Sequence, residues 1–221
     1  MATVLESYLA GLGISLLLTI LSLAFGLVGG IASALGTLSR SRIVSWPSIA
    51  FVELGRGAPG LVLLYLVYFG LPQVGVTLDA LPSAVIALSI MTAAYTSEIF
   101  VAGFRAVRSG QWEACNSLGM GYFASLRLVI LPQAIRVVIP PLIGWSILLF
   151  QATSLAFAIS VPELMSRAYD FATFTYDYGL AFVLAGAMYL AVALLATMLF
   201  RVSQRLRRTT SARVVEAPTA V

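Results

Sequence analysis

Gln111-Trp112-Glu113-Ala114-Cys115-Asn116-Ser117-Leu118-Gly119-Met120-Gly121-Tyr122-Phe123, followed by an amphipathic run and then Leu131-Pro132-Gln133-Ala134, is the stretch on which the reading of this chain turns. It is a long, arginine-bearing segment, ending near Pro141, set between two apolar runs of membrane length. Ala114, Leu118, Phe123, Leu126, Val129 and Ile130 recur at helical spacing, and Gly119 and Gly121 interrupt them. That pattern predicts a short helix, a break and a second helix, which Leu131-Pro132 then stops. A helix held along the membrane surface with polar residues outward is a knob that fits a groove in a partner protein. A plain interfacial helix has the same periodicity.

The rest of the chain sets the context. Of 221 residues, 60% are hydrophobic and only 10% charged, against about 25% charged in soluble domains. This composition is that of an all-α integral membrane protein. All 13 basic residues are arginine, and histidine is absent. Without lysine the chain holds no P-loop to hydrolyse ATP and no Schiff-base amine, and without histidine it lacks the usual zinc ligand and proton relay. Cys115 is the single cysteine, which excludes an intrachain disulfide and a cysteine-rich metal cluster. No catalytic and no metal-ligating residue is therefore assigned, and no nucleic-acid partner is expected. No basic residue precedes Arg40 and the first apolar run is long, so the N-terminus is expected to be retained as a spanning helix rather than to act as a signal peptide.

Five runs are long enough to cross the hydrocarbon layer, at about 12–36, 49–70, 82–104, 141–161 and 180–200. Together they form one transmembrane domain over about residues 1–208, with a cytoplasmic loop at about 105–136 and a disordered cytoplasmic tail over about 209–221. Arginines follow the first, third and fifth spans, whereas the other side carries only Arg167. The positive-inside rule then puts the N-terminus outside, the C-terminus inside and the Gln111 segment in the cytoplasm, in contact with a lipid bilayer throughout. Gly70 to Asp79 reads as a short outer loop. Pro162 to Tyr178, with Glu163, Arg167, Asp170 and Asp177, reads as an outer interfacial helix, a surface for an extracytoplasmic partner, or a connector. Five spans cannot divide into equal inverted halves, so any two-fold symmetry requires a second subunit.

Polar residues inside the spans have structural and functional readings side by side. Gly26, Gly29, Gly30 and Gly36 mark a close-packed helix face. Glu53 and Arg56, three apart, are expected to pair with each other or to reach the cytoplasmic surface, with gating the lesser alternative. Thr92, Tyr95, Thr96 and Glu98 give the third span a polar side, where Glu98 must face protein or a water-filled cavity. Gln151, Thr153 and Ser154 stand near the middle of the fourth span, where such groups line a substrate path or join helices. Pro140 and Pro141 are expected to start that span.

Glu113-Ala114-Cys115, three residues, Gly119, nine residues and Val129-Ile130-Leu131-Pro132 resemble the EAA loop of ABC importer permeases. Cys115 replaces the usual second alanine and Val129 the usual isoleucine. Glu53 to Pro59, Tyr68 to Pro72, Ala93 to Ile99 and Leu131 to Arg136 are similar to the polar amino acid branch of that family (histidine, glutamine, arginine or opine type), and the likeness extends over about residues 11–208.

The resemblance implies a type I ABC importer permease fold of five helices whose cytoplasmic coupling loop meets an ATPase. Glu113, Ala114 and Gly119 would form that contact. It implies a second permease subunit, the same or homologous, two ATP-binding cassette subunits that bind ATP and magnesium, an extracytoplasmic solute-binding protein and a bacterial inner membrane. The chain would be the non-enzymatic transport subunit of an amino acid importer. Tyr95, Glu98, Gln151, Thr153 and Ser154 are the candidate substrate-path residues. Where the branch commonly has Lys-Asp-Thr-Ser-Leu, this chain has Gln151-Ala152-Thr153-Ser154-Leu155, so both charges are missing. That departure fits a different amino acid class, an opine-like ligand, or a heterodimer subunit that does not bind substrate. A membrane scaffold or sensor that recruits a cytoplasmic partner without moving solute is the alternative from another class.

Overall fold

A computed structural model describes residues 2–215 and is helical in all its regular structure. The helices are α1 (Ala2–Thr37), α2 (Arg42–Gly57), α3 (Gly60–Tyr65), α4 (Ala80–Arg105), α5 (Ser109–Ser117), α6 (Tyr122–Ser125), α7 (Leu131–Ala152), α8 (Leu164–Thr175) and α9 (Tyr178–Val215). Among the described residues, four helical stretches are long and apolar enough to cross a membrane: Val4–Thr37, Ala80–Arg105, Tyr122–Ile159 and Tyr178–Val202. A fifth crossing exists if α2 and the helix after it count as one broken span.

That break corrects the expectation of a straight helix over about 49–70. The chain bends by 108° between Arg42–Gly57 and Gly60–Val74. Ala58 is extended at φ −79° and ψ 133°, as a residue preceding proline prefers to be, because the ring of Pro59 crowds the helical conformation. The helix restarts on the Pro59 carbonyl, which accepts from Val62 N and Leu63 N at 2.9 and 3.1 Å. Beyond α3 the backbone loosens into a π turn (Leu66–Gly70) and a 3-10 turn (Leu71–Val74).

The fourth span begins much earlier than Pro140. Tyr122–Ile159 runs as one long helical stretch, so Leu131-Pro132 does not stop the loop helix and Pro140 and Pro141 lie inside α7. Inside that stretch Pro132 has no N–H to donate to the carbonyl four residues back. Just before it, a π turn over Leu126–Ile130 widens the coil where the Pro132 ring would press on the carbonyl four residues back. The far end of the span is also irregular: α7 tightens into a 3-10 segment, Thr153–Ile159, which ends at Ser160 in the left-handed region (φ 64°).

The most extensive helix contact is α1 against α4. A Cβ at Gly26 would strike the Thr92 side chain, and one at Gly30 would strike Thr96. Backbone therefore packs directly on side chain, and this close approach is how helices adhere where lipid is as apolar as leucine. Leu18, Leu64, Val67, Ala84, Ala156 and Ile159 form the main buried cluster, which joins α1 and α4 to α3 and the 3-10 segment. The segment after Val161, expected on the outer side, is a helix, α8, packed on α1 and α9 through Leu164 and Ala168 against Tyr8 and Ala185. Helix α9 continues to Val215, seven residues into the stretch expected to be a disordered tail, where no glycine or proline occurs between Arg208 and Pro218. The remainder of that tail, 216–221, lies outside the described residues.

Candidate functional site

The loop after α4 is built as its glycines dictate. Helix α5 ends with Leu118, then Gly119 at φ 70°. Gly119 N donates to Asn116 O at 3.0 Å and Met120 N to Cys115 O at 3.0 Å. This is the paired closure of a Schellman cap, whose left-handed residue is favourable for glycine and costly for residues with a Cβ. Trp112 stacks on Tyr122 across the break, with centroids 5.6 Å apart, and Gln133 Nε2 donates to Gln111 Oε1 at 2.9 Å. The loop is thus tied back to the first turn of α7. Cys115 is buried on the inner face, and Glu113 and Ala114 are exposed. Leu118 at 79% and Phe123 at 82% exposure stand out from the surface.

A second constellation forms where α2 ends. Arg56 Nη1 pairs with Glu98 Oε1 of α4. Of the two expectations for Glu53 and Arg56, the mutual pair is not made, although both residues lie in the unbroken part of α2: Arg56 reaches Glu98 of the neighbouring helix instead. Glu53 instead lines a cavity of about 130 Å3 with Ser97, Glu98 and Arg105. The Arg56 guanidinium carbon lies 5.6 Å from the Tyr95 ring centroid, and Tyr95 stacks on Trp145 of α7 at 4.1 Å. Arg56 and Glu98 side chains remain 33% and 49% exposed. Glu98 is about two turns inside the end of a spanning helix, and a charge there cannot face lipid without a penalty of several kcal/mol. This face therefore fronts water or another protein surface.

Gln151, Thr153 and Ser154 sit at the junction of α7 with its 3-10 continuation. Thr153 is fully buried and donates to Phe150 O at 2.7 Å, while Ser154 donates to Gln151 O at 2.8 Å and the Gln151 side chain is exposed. Leu88, Met91 and Leu149 form a buried cluster against which Tyr95, Trp145 and Ala152 pack. Tyr95 and Glu98 thus come together around Arg56, and Ala152, next to Gln151 in the chain, packs on the same apolar cluster as Tyr95.

Glu163 went unrecognised as a core residue. It is fully buried, caps α8 by accepting from Met165 N (2.9 Å) and Ser166 N (2.8 Å), and accepts from Tyr189 Oη (2.7 Å) and Ser15 Oγ (3.3 Å). Burial pushes its carboxyl above the ordinary carboxylate range, and the four donors pull it back. Glutamate is a weak N-cap signal, and Ser15 and Tyr189 are far away in sequence, so nothing local announced the cluster.

A family described as binding-protein-dependent transport system inner membrane component matches residues 26–208. The chain belongs to this family. This inner membrane component has relatives described as amino acid permeases. It is 37% identical over 188 residues to the probable amino-acid ABC transporter permease protein YckA of Bacillus subtilis, covering 85% of this chain and 83% of that protein. It is 40% identical to the L-cystine transport system permease protein TcyB of the same organism, with 85% and 81% covered. It is 34% identical to the histidine/lysine/arginine/ornithine transport system permease protein HisM of Escherichia coli, with 88% and 86% covered. Its structure matches a chain from a crystal structure of an amino acid ABC transporter with histidines, at a TM-score of 0.88 and 33% identity over 93% of this chain and 96% of that one. The inward-facing MetNI methionine ABC transporter matches in fold at a TM-score of 0.72 and 18% identity, covering 91% and 98%. The family component is thus a multi-pass permease with the type I ABC importer fold, and the scaffold reading finds no support.

Proposed function

We propose that this permease forms the translocation path of an ATP-driven amino acid importer, assembled with a second permease copy or homologue, two ATP-binding cassette subunits and an extracytoplasmic solute-binding protein. ATP and magnesium belong to the cassette subunits, since this chain has no lysine to build a P-loop. The observation that carries the reading is the α5 knob: a helix closed by Gly119, with Glu113 and Ala114 exposed and Leu118 and Phe123 unburied beside them. Such a knob fits a groove on an ATPase, and its tie to α7 through Gln111 and Gln133 gives a physical route from docking to the spans. Tyr95, Glu98, Gln151, Thr153 and Ser154 are the proposed path residues. The N-terminus lies outside and the C-terminus in the cytoplasm, a topology supported by the arginine distribution.

The test is ATP-driven uptake of twenty radiolabelled L-amino acids into vesicles holding the full complex. Wild-type complex is expected to accumulate at least one of them. Glu113→Arg and Gly119→Pro should abolish that uptake and uncouple ATP hydrolysis while leaving the subunits assembled. Unchanged uptake by both variants would sink the coupling role.

A further inference from the structure

Among the described residues, six buried side-chain polar atoms lack a hydrogen-bond partner, and two of them, Arg56 Nε and Trp145 Nε1, belong to side chains that abut the same Tyr95 ring. An orphaned buried N–H forfeits the desolvation energy of the group, and two beside one ring point to an acceptor that arrives from elsewhere. The other orphans are three hydroxyls and Arg167 Nε. Arg56 offers a planar fork of donors of which Nη1 alone engages Glu98, so its Nε edge is free for a bidentate contact. That geometry selects a carboxylate, because a guanidinium edge matches two oxygens of one acid group. Immediately beside it stands Glu98, half exposed, which prefers an ammonium. A cation and an anion presented side by side, with side chains 33% and 49% exposed, are the complement of a zwitterion, and the covered Nε and Nε1 donors come into reach when the pair parts.

We propose that Arg56 and Glu98 bind the α-carboxylate and the α-ammonium of the transported amino acid, which replaces their mutual ion pair, and that Trp145 Nε1 donates to the same carboxylate. The pair thereby keeps both charges satisfied in an empty path, where an isolated charge would be costly. Entry of the zwitterion exchanges one ion pair for two and gives both orphaned donors their acceptor. Recognition of the α-substituents leaves the side chain of the substrate to other walls, among them the neutral Gln151 group. The inference rests on the amino acid reading above, and it predicts that an amine lacking the carboxylate does not bind.

Equilibrium dialysis of the permease with its cassette subunits, without the solute-binding protein, tests it with the labelled amino acid that wild-type vesicles accumulate. Wild type should bind saturably, and the corresponding decarboxylated amine should not compete. Arg56→Gln should raise Kd by about 10- to 100-fold, the loss typical of a charge-assisted hydrogen bond, and Trp145→Phe by about fivefold, with its stacking kept. Arg56→Lys should retain part of the affinity. The exchanged double variant Arg56→Glu/Glu98→Arg should assemble yet not recover binding, because the charges now face the wrong ends of the ligand. Four results would overturn the proposal: no saturable binding to wild type, competition by the amine, unchanged Kd in Arg56→Gln or Trp145→Phe, or full recovery in the exchanged variant, which would make the pair a structural lock. Should Arg56→Gln fail to assemble, Trp145→Phe still decides. A wild-type complex that accumulates none of the twenty amino acids would overturn the function as well, whereas normal accumulation with unaffected variants overturns this inference alone.

Discussion

Gly119 and Glu163 show how much single residues decide here. Gly119 closes α5 at φ 70° with open space where a Cβ would stand, so an alanine there meets no neighbour and loses only conformational energy. Gly119→Ala should therefore destabilise the cap by about 1–2 kcal/mol, fray α5, and speed amide exchange at Gly119 and Met120 without lowering global stability. Exchange rates at those amides measured by mass spectrometry check this, and unchanged protection would contradict the cap. Glu163 is the opposite case, a buried acceptor with four donors from α1, α8 and α9. Glu163→Ala orphans those donors at about 1–3 kcal/mol each where no water replaces them. The melting temperature of the purified complex should drop markedly, with Tyr189→Phe giving a smaller drop because it removes one donor only. Equal melting of Glu163→Ala and wild type would show the cluster to be incidental.

Between elements, the seam of α1 on α4 is the contact most exposed to a single change. Gly26→Val would push a branched side chain into Thr92 and the Ser89 carbonyl, an overpacking worth about 1–3 kcal/mol. Gly13→Val, with nothing within 4 Å, is the matched control. Thermal unfolding in detergent should separate the two; equal losses would assign the effect to helix propensity instead. This seam was legible in the sequence, as was the short helix, break and second helix of the loop, because small residues and glycines act locally. The broken second span was not. Hydropathy over 49–70 averages away the two extended residues at the break, Pro59 and the Ala58 that it holds out of the helix. Pro140 and Pro141 misled in the other direction: they suit a helix start, but the apolar run before them already continues as helix, so they are carried inside it. The Arg56 partner was missed for a different reason: Glu98 stands on another helix, 42 positions along the chain, and i,i+3 spacing within α2 gives no sign of it. Trp145, one aromatic in an apolar run, carried no signal of its own.

At the scale of the molecule, the fold alone does not fix which way the chain faces; charge does. A bundle of spans would fit a bilayer equally well inverted, but translocating the arginines near the ends of the first, third and fifth spans is opposed by the rule that keeps such residues in the cytoplasm. Two aromatic positions at opposite ends of the fold report on this directly. Phe123, 82% exposed in the α5–α7 loop, is expected inside, and Phe174, 87% exposed at the end of α8, is expected outside. With Cys115 replaced by serine, Phe174→Cys should react with a membrane-impermeant maleimide in intact cells, whereas Phe123→Cys should react only after permeabilisation. The α5 knob can meet an ATPase only in this orientation, because ATP and its hydrolysing subunits are cytoplasmic. Labelling in the reverse pattern would place the knob outside, and then the exposed Leu118 and Phe123, however well shaped, would have no ATPase to engage and the proposed coupling would fail with the topology.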